Sequence, residues 1–470
     1  MRLPIPLIGP SYQSRDVPLS AQVTKNLYPQ VDKEGRVIVS LHTFPGLKVW
    51  ASGLGTGYRG HHVMDDIYYI VYDTTLYEIP STGAEISRGT ITGSGMCGFS
   101  DNGDVLAITT GSTWYTYTAS TTTLASDPDS DLVNPTTTGY LNSQYLFDNN
   151  DTTSAKGEFI TSAVGSVAID ALDFATAESH PDDLIRIFVF DQLVYMMGSK
   201  SFETWFNSGV GRPPFDRTQG GTKPIGIAGR DAITEQGLLY FLDDERIPRK
   251  LAGYDTLPIG NPPLGQAFDS QSTVSDCIVF SMNLEHQDII VYTFPTAGET
   301  WAYSVQTDSW FQLSHGVDGD RWRGAGHEYV YEKHLIPDHT NGNVYELDFN
   351  TYTNNSEVMQ RQRATATIHS GLYGEAGREM WFNRVEFVID VGEGLTTGQG
   401  SDPTLMVRYS DDGGYTWSAI DSYSIGETGD YLKKIELFQQ GKAFQRVYEL
   451  TYTDPTDFTL YSAHADIDFG

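Results

Sequence analysis

Cysteine is nearly absent, with only Cys97 and Cys277 in 470 residues. Two distant thiols make neither a disulfide framework nor a clustered thiolate metal site, and they fit synthesis in a reducing host cytoplasm. Basic residues are scarce too: 30 Lys and Arg stand against 61 Asp and Glu, a formal net charge of −31. Proteins that grip nucleic acid neutralise phosphates with Lys and Arg, so broad nucleic-acid binding is excluded. Arg321-Trp322-Arg323 and Arg361-Gln362-Arg363 are too small for a groove and read as surface charge. No stretch approaches the ~20 apolar residues of a membrane span, and Pro4, Pro6 and Pro10 break the short apolar N-terminal run. Neither a membrane anchor nor an export signal is expected.

Catalytic patterns are also missing. There is no Gly-x-Ser-x-Gly elbow, no phosphate loop ending in Lys-Ser/Thr and no His-Glu-x-x-His. His61 and His62 are neighbours, and on a strand they point to opposite faces, which does not suit one metal. Asp243-Asp244-Glu245 reads as a solvated turn. No catalytic residue, metal site or cofactor is assigned.

What the chain does have is Gly (47), Tyr (28), Thr and a hydrophobic fraction of 39%, enough for a sizeable core. Those residue types suit strands and tight turns, so the fold class is all-β. Pairs of short apolar-aromatic strands, each split by a polar turn, recur from residues 67–80 through 104–118, 140–148, 183–198, 238–254, 288–305 and 334–349. Their starts lie roughly 35–50 residues apart, the period of a four-stranded propeller blade. The spacing predicts a β-propeller of six or seven blades over 51–360; the alternative is a pair of packed sandwiches. Beyond Asn354-Asn355-Ser356 the strands lengthen, which predicts a separate C-terminal β-sandwich over 361–470. Residues 1–50 carry Pro4, Pro6, Pro10, Pro18 and Pro29 and read as an extended arm that docks on another surface.

The sharpest local motif is Ser410, Asp412, Gly414, Thr416 and Trp417, which matches the Asp-box pattern at every defined position. Asp and Gly make a tight hairpin turn, with Trp expected to pack beneath it. Asp-boxes are best known in sialidases, where they lie away from the active site, so the motif is read as structural. Arg246-Ile247-Pro248 echoes another sialidase motif, but mid-chain and with no set of repeated Asp-boxes.

Several segments resemble the packaged-DNA stabilization, or tail-nozzle, proteins of short-tailed bacteriophages. They are AQVTKNLYPQ (21–30), LHTFPGL (41–47), FATAESHPDDL (174–184), SFETWFNSGVGRPPFDR (201–217) and LTYTDPTDFTLYSAHADI (450–467). Their order and spacing carry the likeness, and the acidic region from Ser126 to Ser154 departs from it like an inserted blade loop. The resemblance implies a virion tail protein, non-enzymatic, assembling as a homohexamer below the portal and its adaptor ring. It implies contacts with tail-tip, needle or receptor-binding proteins, and double-stranded DNA passing without tight binding. Channel-lining and interface residues are unassigned. The alternatives are a receptor protein stacking glycans on Trp205 or Trp301, and a sialidase-like hydrolase.

Overall fold

The computed structural model describes residues 1–13, 21–31, 39–150, 157–177, 182–253, 255–431 and 433–470. Strands dominate; the one α-helix among the described residues, Pro262–Asp269, starts on the Asn261 side chain, which accepts from the Leu264 amide at 3.0 Å.

Seven four-stranded antiparallel units follow one another at 58–90, 98–126, 138–176, 184–223, 233–258, 278–315 and 328–348. They are the blades of a propeller, the larger of the two expected counts. In five of them the first two strands are joined by a two-residue turn with both φ positive: Asp65-Asp66, Asn142-Ser143, Asp191-Gln192, Glu285-His286 and Tyr331-Glu332. Such turns match the right-handed twist of the strands they connect. The acidic stretch after Ser126 is not an inserted loop. It supplies Thr138–Leu141 and Gln144–Asp148, the first strands of the third blade, in which Tyr145, Leu146 and Phe147 are buried. Residues 151–154 of that stretch, and 155–156 after it, lie outside the described residues, as do 178–181 of the 174–184 segment.

The seventh blade supplies three strands from its own run, Glu328–Val330, Lys333–Pro337 and Val344–Asp348. Its fourth is Gly46–Ala51, paired antiparallel with Val344–Asp348. The ring is therefore closed by a strand from the N-terminal region. Gly46 sits where a Cβ would collide with the carbonyl oxygens of Thr351 and Thr353, so the turn after Phe44-Pro45 accepts only glycine.

The described residues of 1–50 dock on strands of their own chain. Arg2–Ile5 pairs with the last strand, Thr459–Phe469. Leu27–Val31 and Val39–Thr43 form a hairpin that extends the same sheet. With Met380–Ile389 and Ile435–Phe438 they make one layer of the C-terminal sandwich. The other layer holds Arg361–Ala364, Gln445–Tyr452, Thr404–Ser410 and Asp421–Ser424. Ile5, Leu7, Leu27 and Leu41 pack into the core with Phe387, Tyr448, Leu450 and Leu460. Burying those apolar side chains helps to hold the proline-rich segment against its own chain.

The two domains share one sheet. From the sixth blade it runs outward through Ser309–His315 to Ala21–Lys25, then to Arg361–Ala364 and the rest of the second sandwich layer. Asn26, held at φ 52°, locks the junction: its side-chain amide donates to the Ser314 carbonyl at 3.1 Å and the Gln360 carbonyl at 2.8 Å, and its oxygen accepts from the Ser314 amide at 2.9 Å.

Arg361 and Arg363 are not surface charges either; both are fully buried. Arg361 donates to the carbonyls of Asp454 and Tyr352 and lies over the Tyr452 ring. Arg363 reaches the carbonyls of Leu7 (2.6 Å) and Pro10 (3.0 Å), Thr24 Oγ1 (2.8 Å) and Gln22 Oε1 (3.0 Å). Burial pulls its guanidinium down to about 9, with no carboxylate beside it to offset the loss of water. Arg363→Ala leaves several buried acceptors unpaired. It is expected to cost about 3–5 kcal/mol in equilibrium denaturation, and to raise proteolysis of the first 13 residues above that of the native protein.

Candidate functional site: the axis of the propeller

The first strands of the blades line the axis, and polar side chains fill it. At its middle a cavity of about 230 Å³ is bounded by Tyr58, His61, Arg186, Asp231 and Glu328. It opens at the C-terminal ends of those strands into a mouth of about 620 Å³ with Glu235, Glu285, His327, Glu328 and His334. At their N-terminal ends lies a second mouth of about 540 Å³ with Arg230, Asp231, Asp276, Arg321 and His339. One mouth is rich in carboxylates and imidazoles, the other in guanidiniums.

His61 bonds to Tyr58 Oη at 2.6 Å and lies 3.9 Å from Glu328. His62 turns away, 2.7 Å from Asp101 and stacked on Phe99. Among the described residues no group of three or more His, Cys, Asp and Glu is arranged to hold a metal ion. His327 and His334 are bonded at 2.9 Å and stacked. Burial lowers His61 to about 4 and His327 to about 3, the latter also through His334, so these rings are neutral near pH 7. Glu328 keeps 36% of its side chain open to the channel but is walled by protein. That enclosure raises its carboxyl to about 7, with Glu235 adding to the effect.

The Asp412 carboxylate closes the Asp-box turn. It accepts from Ser410 Oγ (2.6 Å), the Thr416 amide (2.9 Å) and Thr416 Oγ1 (2.6 Å), and these bonds hold its pKa well below the usual carboxylate range. The Gly414 amide donates to Ser410 Oγ at 2.7 Å. Trp417 is half-buried, with the Arg408 guanidinium over its ring at 4.7 Å and Arg408 held by Glu449 at 2.6 Å. The whole motif lies on the sandwich, apart from the axis.

Other sequence candidates are spent on structure. Asp243 is buried rather than solvated; it pairs with Arg249 and accepts from the amides of Glu245 and Ile247. One guanidinium nitrogen of Arg246 donates to the carbonyls of Phe268, Asp269 and Gln271, at the end of the helix. Trp205 and Trp301 are 6% exposed, too covered to stack on a sugar. Cys97 and Cys277 are buried free thiols, and burial raises Cys97 to about 11. The axial groups carried no sequence signal beyond lying near the first strand of each repeat.

Seven blades about a filled polar axis, joined through one sheet to a sandwich, define a two-domain propeller–sandwich protein. A family model described as bacteriophage P22 Gp10, beta-propeller, matches residues 1–352, and a second, bacteriophage P22 Gp10, beta-sandwich, matches 367–468. The chain belongs to the bacteriophage P22 Gp10 family and is a structural component of a phage tail. No curated protein matches it. Among solved structures, the extracellular domain of the putative one component system BT4673 from B. thetaiotaomicron is 7% identical with a TM-score of 0.46, over 83% of this chain and 48% of that one. The N-terminal domain of Nup159 is 8% identical with a TM-score of 0.40, over 69% of this chain and 98% of that one. The chain thus spans about half the length of the B. thetaiotaomicron domain, and neither likeness bears on function. No helix among the described residues is long and apolar enough to cross a membrane.

A folded-state carboxyl at about 7 instead of 4.5 means that folding takes up a proton at Glu328. Its contribution is full below 4.5 and is lost as the pH rises through 7. Glu328→Gln cannot ionise, so its stability relative to the native protein is expected to rise between about pH 5 and pH 8. His61 and His327 act in the opposite sense and are common to both proteins. Paired denaturant titrations across that range measure the difference; a flat difference would show that Glu328 is not enclosed as described.

Proposed function

We propose that the chain is a subunit of the tail nozzle. Six copies form a ring below the portal and its adaptor, extend the DNA channel, help close it after packaging and let DNA pass at ejection. The far end of the ring presents a surface to tail-tip, needle or receptor-binding proteins. The observation that carries this reading is the family match, which spans both domains in order. The charge supports it independently: at −31 per subunit, a ring of copies repels phosphates and leaves DNA free to slide. The role is mechanical and needs no catalytic residue. The reading of a glycan-binding protein is weakened by the burial of Trp205 and Trp301.

Electron microscopy of the tail that carries this chain is expected to show a sixfold ring on the tail axis, around a pore wide enough for duplex DNA. Peripheral trimers or fibres would sink the proposal. The isolated protein is expected to give no shift of duplex DNA at physiological salt. A tight complex that weakens steeply with salt would count against a sliding wall.

A further inference from the structure

The guanidinium-rich mouth holds polar atoms that the chain itself does not satisfy. Arg321 is half-buried there, and its guanidinium makes no hydrogen bond or ion pair among the described residues; its Nε is buried without a partner. His339 Nε2, in the same wall, is also unpartnered. So is Asp276 Oδ1, although the other oxygen of that carboxylate accepts from the Thr296 amide at 2.7 Å. One layer deeper, Arg186 Nε has no partner, and its NH1 stands 3.9 Å from Asp231. Arg230 is different: Asp231 and the carbonyls of Met96 and Thr136 take up its donors.

Buried polar groups find partners in well over nine cases in ten, so three orphans around this mouth, with a fourth in the cavity behind it, mark a place built for something else. Across the mouth and the cavity behind it, Arg186, Arg230 and Arg321 face Asp231, Asp276 and Glu328, equal in number; Arg186 and Arg230 both have Asp231 within 4 Å, which leaves Arg321 as the cation with no ion pair among the described residues. Burial lowers Arg321 only to about 10, so it remains charged at neutral pH. Unpartnered guanidinium donors call for an oxyanion. The unpartnered carboxylate oxygen adds a condition, because it can be satisfied only by a donor.

We propose that this mouth binds a phosphate group that retains a proton. Its bare oxygens accept from Arg321 and, deeper in, from Arg186, while its P–OH donates to Asp276. The phosphate is either the free ion or the end of a small monoester; a cavity of about 540 Å³ has room for both. Sulfate has the same size and shape but no proton near neutral pH, so Asp276 would face a bare anionic oxygen and reject it.

The test is calorimetric titration of the full chain with inorganic phosphate, with glycerol phosphate and with sulfate at matched ionic strength, together with the shift of the unfolding midpoint. Phosphate is expected to bind saturably and sulfate at least about tenfold more weakly, the worth of one charged hydrogen bond. Glycerol phosphate separates the sources: binding at least as tight as phosphate indicates a monoester ligand, and weaker binding indicates the free ion. Arg321→Gln is expected to weaken phosphate by roughly tenfold or more. Asp276→Asn, whose amide can donate, should admit sulfate and erase the selectivity even if Arg321→Gln folds poorly. No saturable phosphate binding, equal affinity for phosphate and sulfate in the native chain, or unchanged selectivity in Asp276→Asn would each overturn the proposal.

Discussion

A single buried cation organises this molecule. Arg363 sits in the sheet that joins the domains, and its fork binds the Leu7–Pro10 and Gln22–Thr24 stretches at once. A buried guanidinium without a carboxylate is costly unless every donor is used, and here the acceptors come from backbone and neutral side chains. That requirement draws the proline-rich N-terminal segment into one path. Once the path is set, Leu27–Val31 and Val39–Thr43 fall on the sandwich and Gly46–Ala51 falls on the last blade. Asn26, between them, ties that path to the Ser314 end of the sixth blade.

The propeller was legible because its signal is local. Each blade's paired strands alternate apolar and aromatic residues about a polar turn, and seven such units were visible. The junction was not, because nothing in Arg361-Gln362-Arg363 separates a solvated pair from a buried one. Its meaning depends on Leu7, Pro10 and Gln22, about 340 to 356 residues away. The prolines of the first segment misled for a related reason. Proline does argue against a central strand, but Pro4 and Pro29 sit in edge strands of the sandwich sheet, where a missing donor is tolerated. The Asp-box residues were legible as a tight turn, whereas nothing in the sequence marks Arg408, which lies over Trp417, or Glu449, which holds Arg408 from a neighbouring strand. Asp243 was misread because its partner Arg249 lies across a turn that the acidic run conceals.

The axis of each propeller is too narrow and too occupied to be a route for nucleic acid. Arg186, Asp231, His61 and Glu328 close around a cavity of about 230 Å³. In the proposed nozzle, a duplex would therefore run between subunits and not through a propeller.

The long-range pairings also bear on the order in which the molecule can be made. Arg2–Ile5 pairs with the stretch around residue 465, and Gly46–Ala51 with Val344–Asp348. A ribosome emitting this chain exposes the first strands hundreds of residues before their partners exist. Neither the sandwich nor the ring can close until residues 459–469 and 344–348, respectively, have been made. Blades such as 98–126 and 138–176 can form as they emerge, but the two edges that seal the fold stay open. During that interval the protein is most exposed to pairing with the wrong strand, and the charge that later faces outward already keeps nascent chains apart.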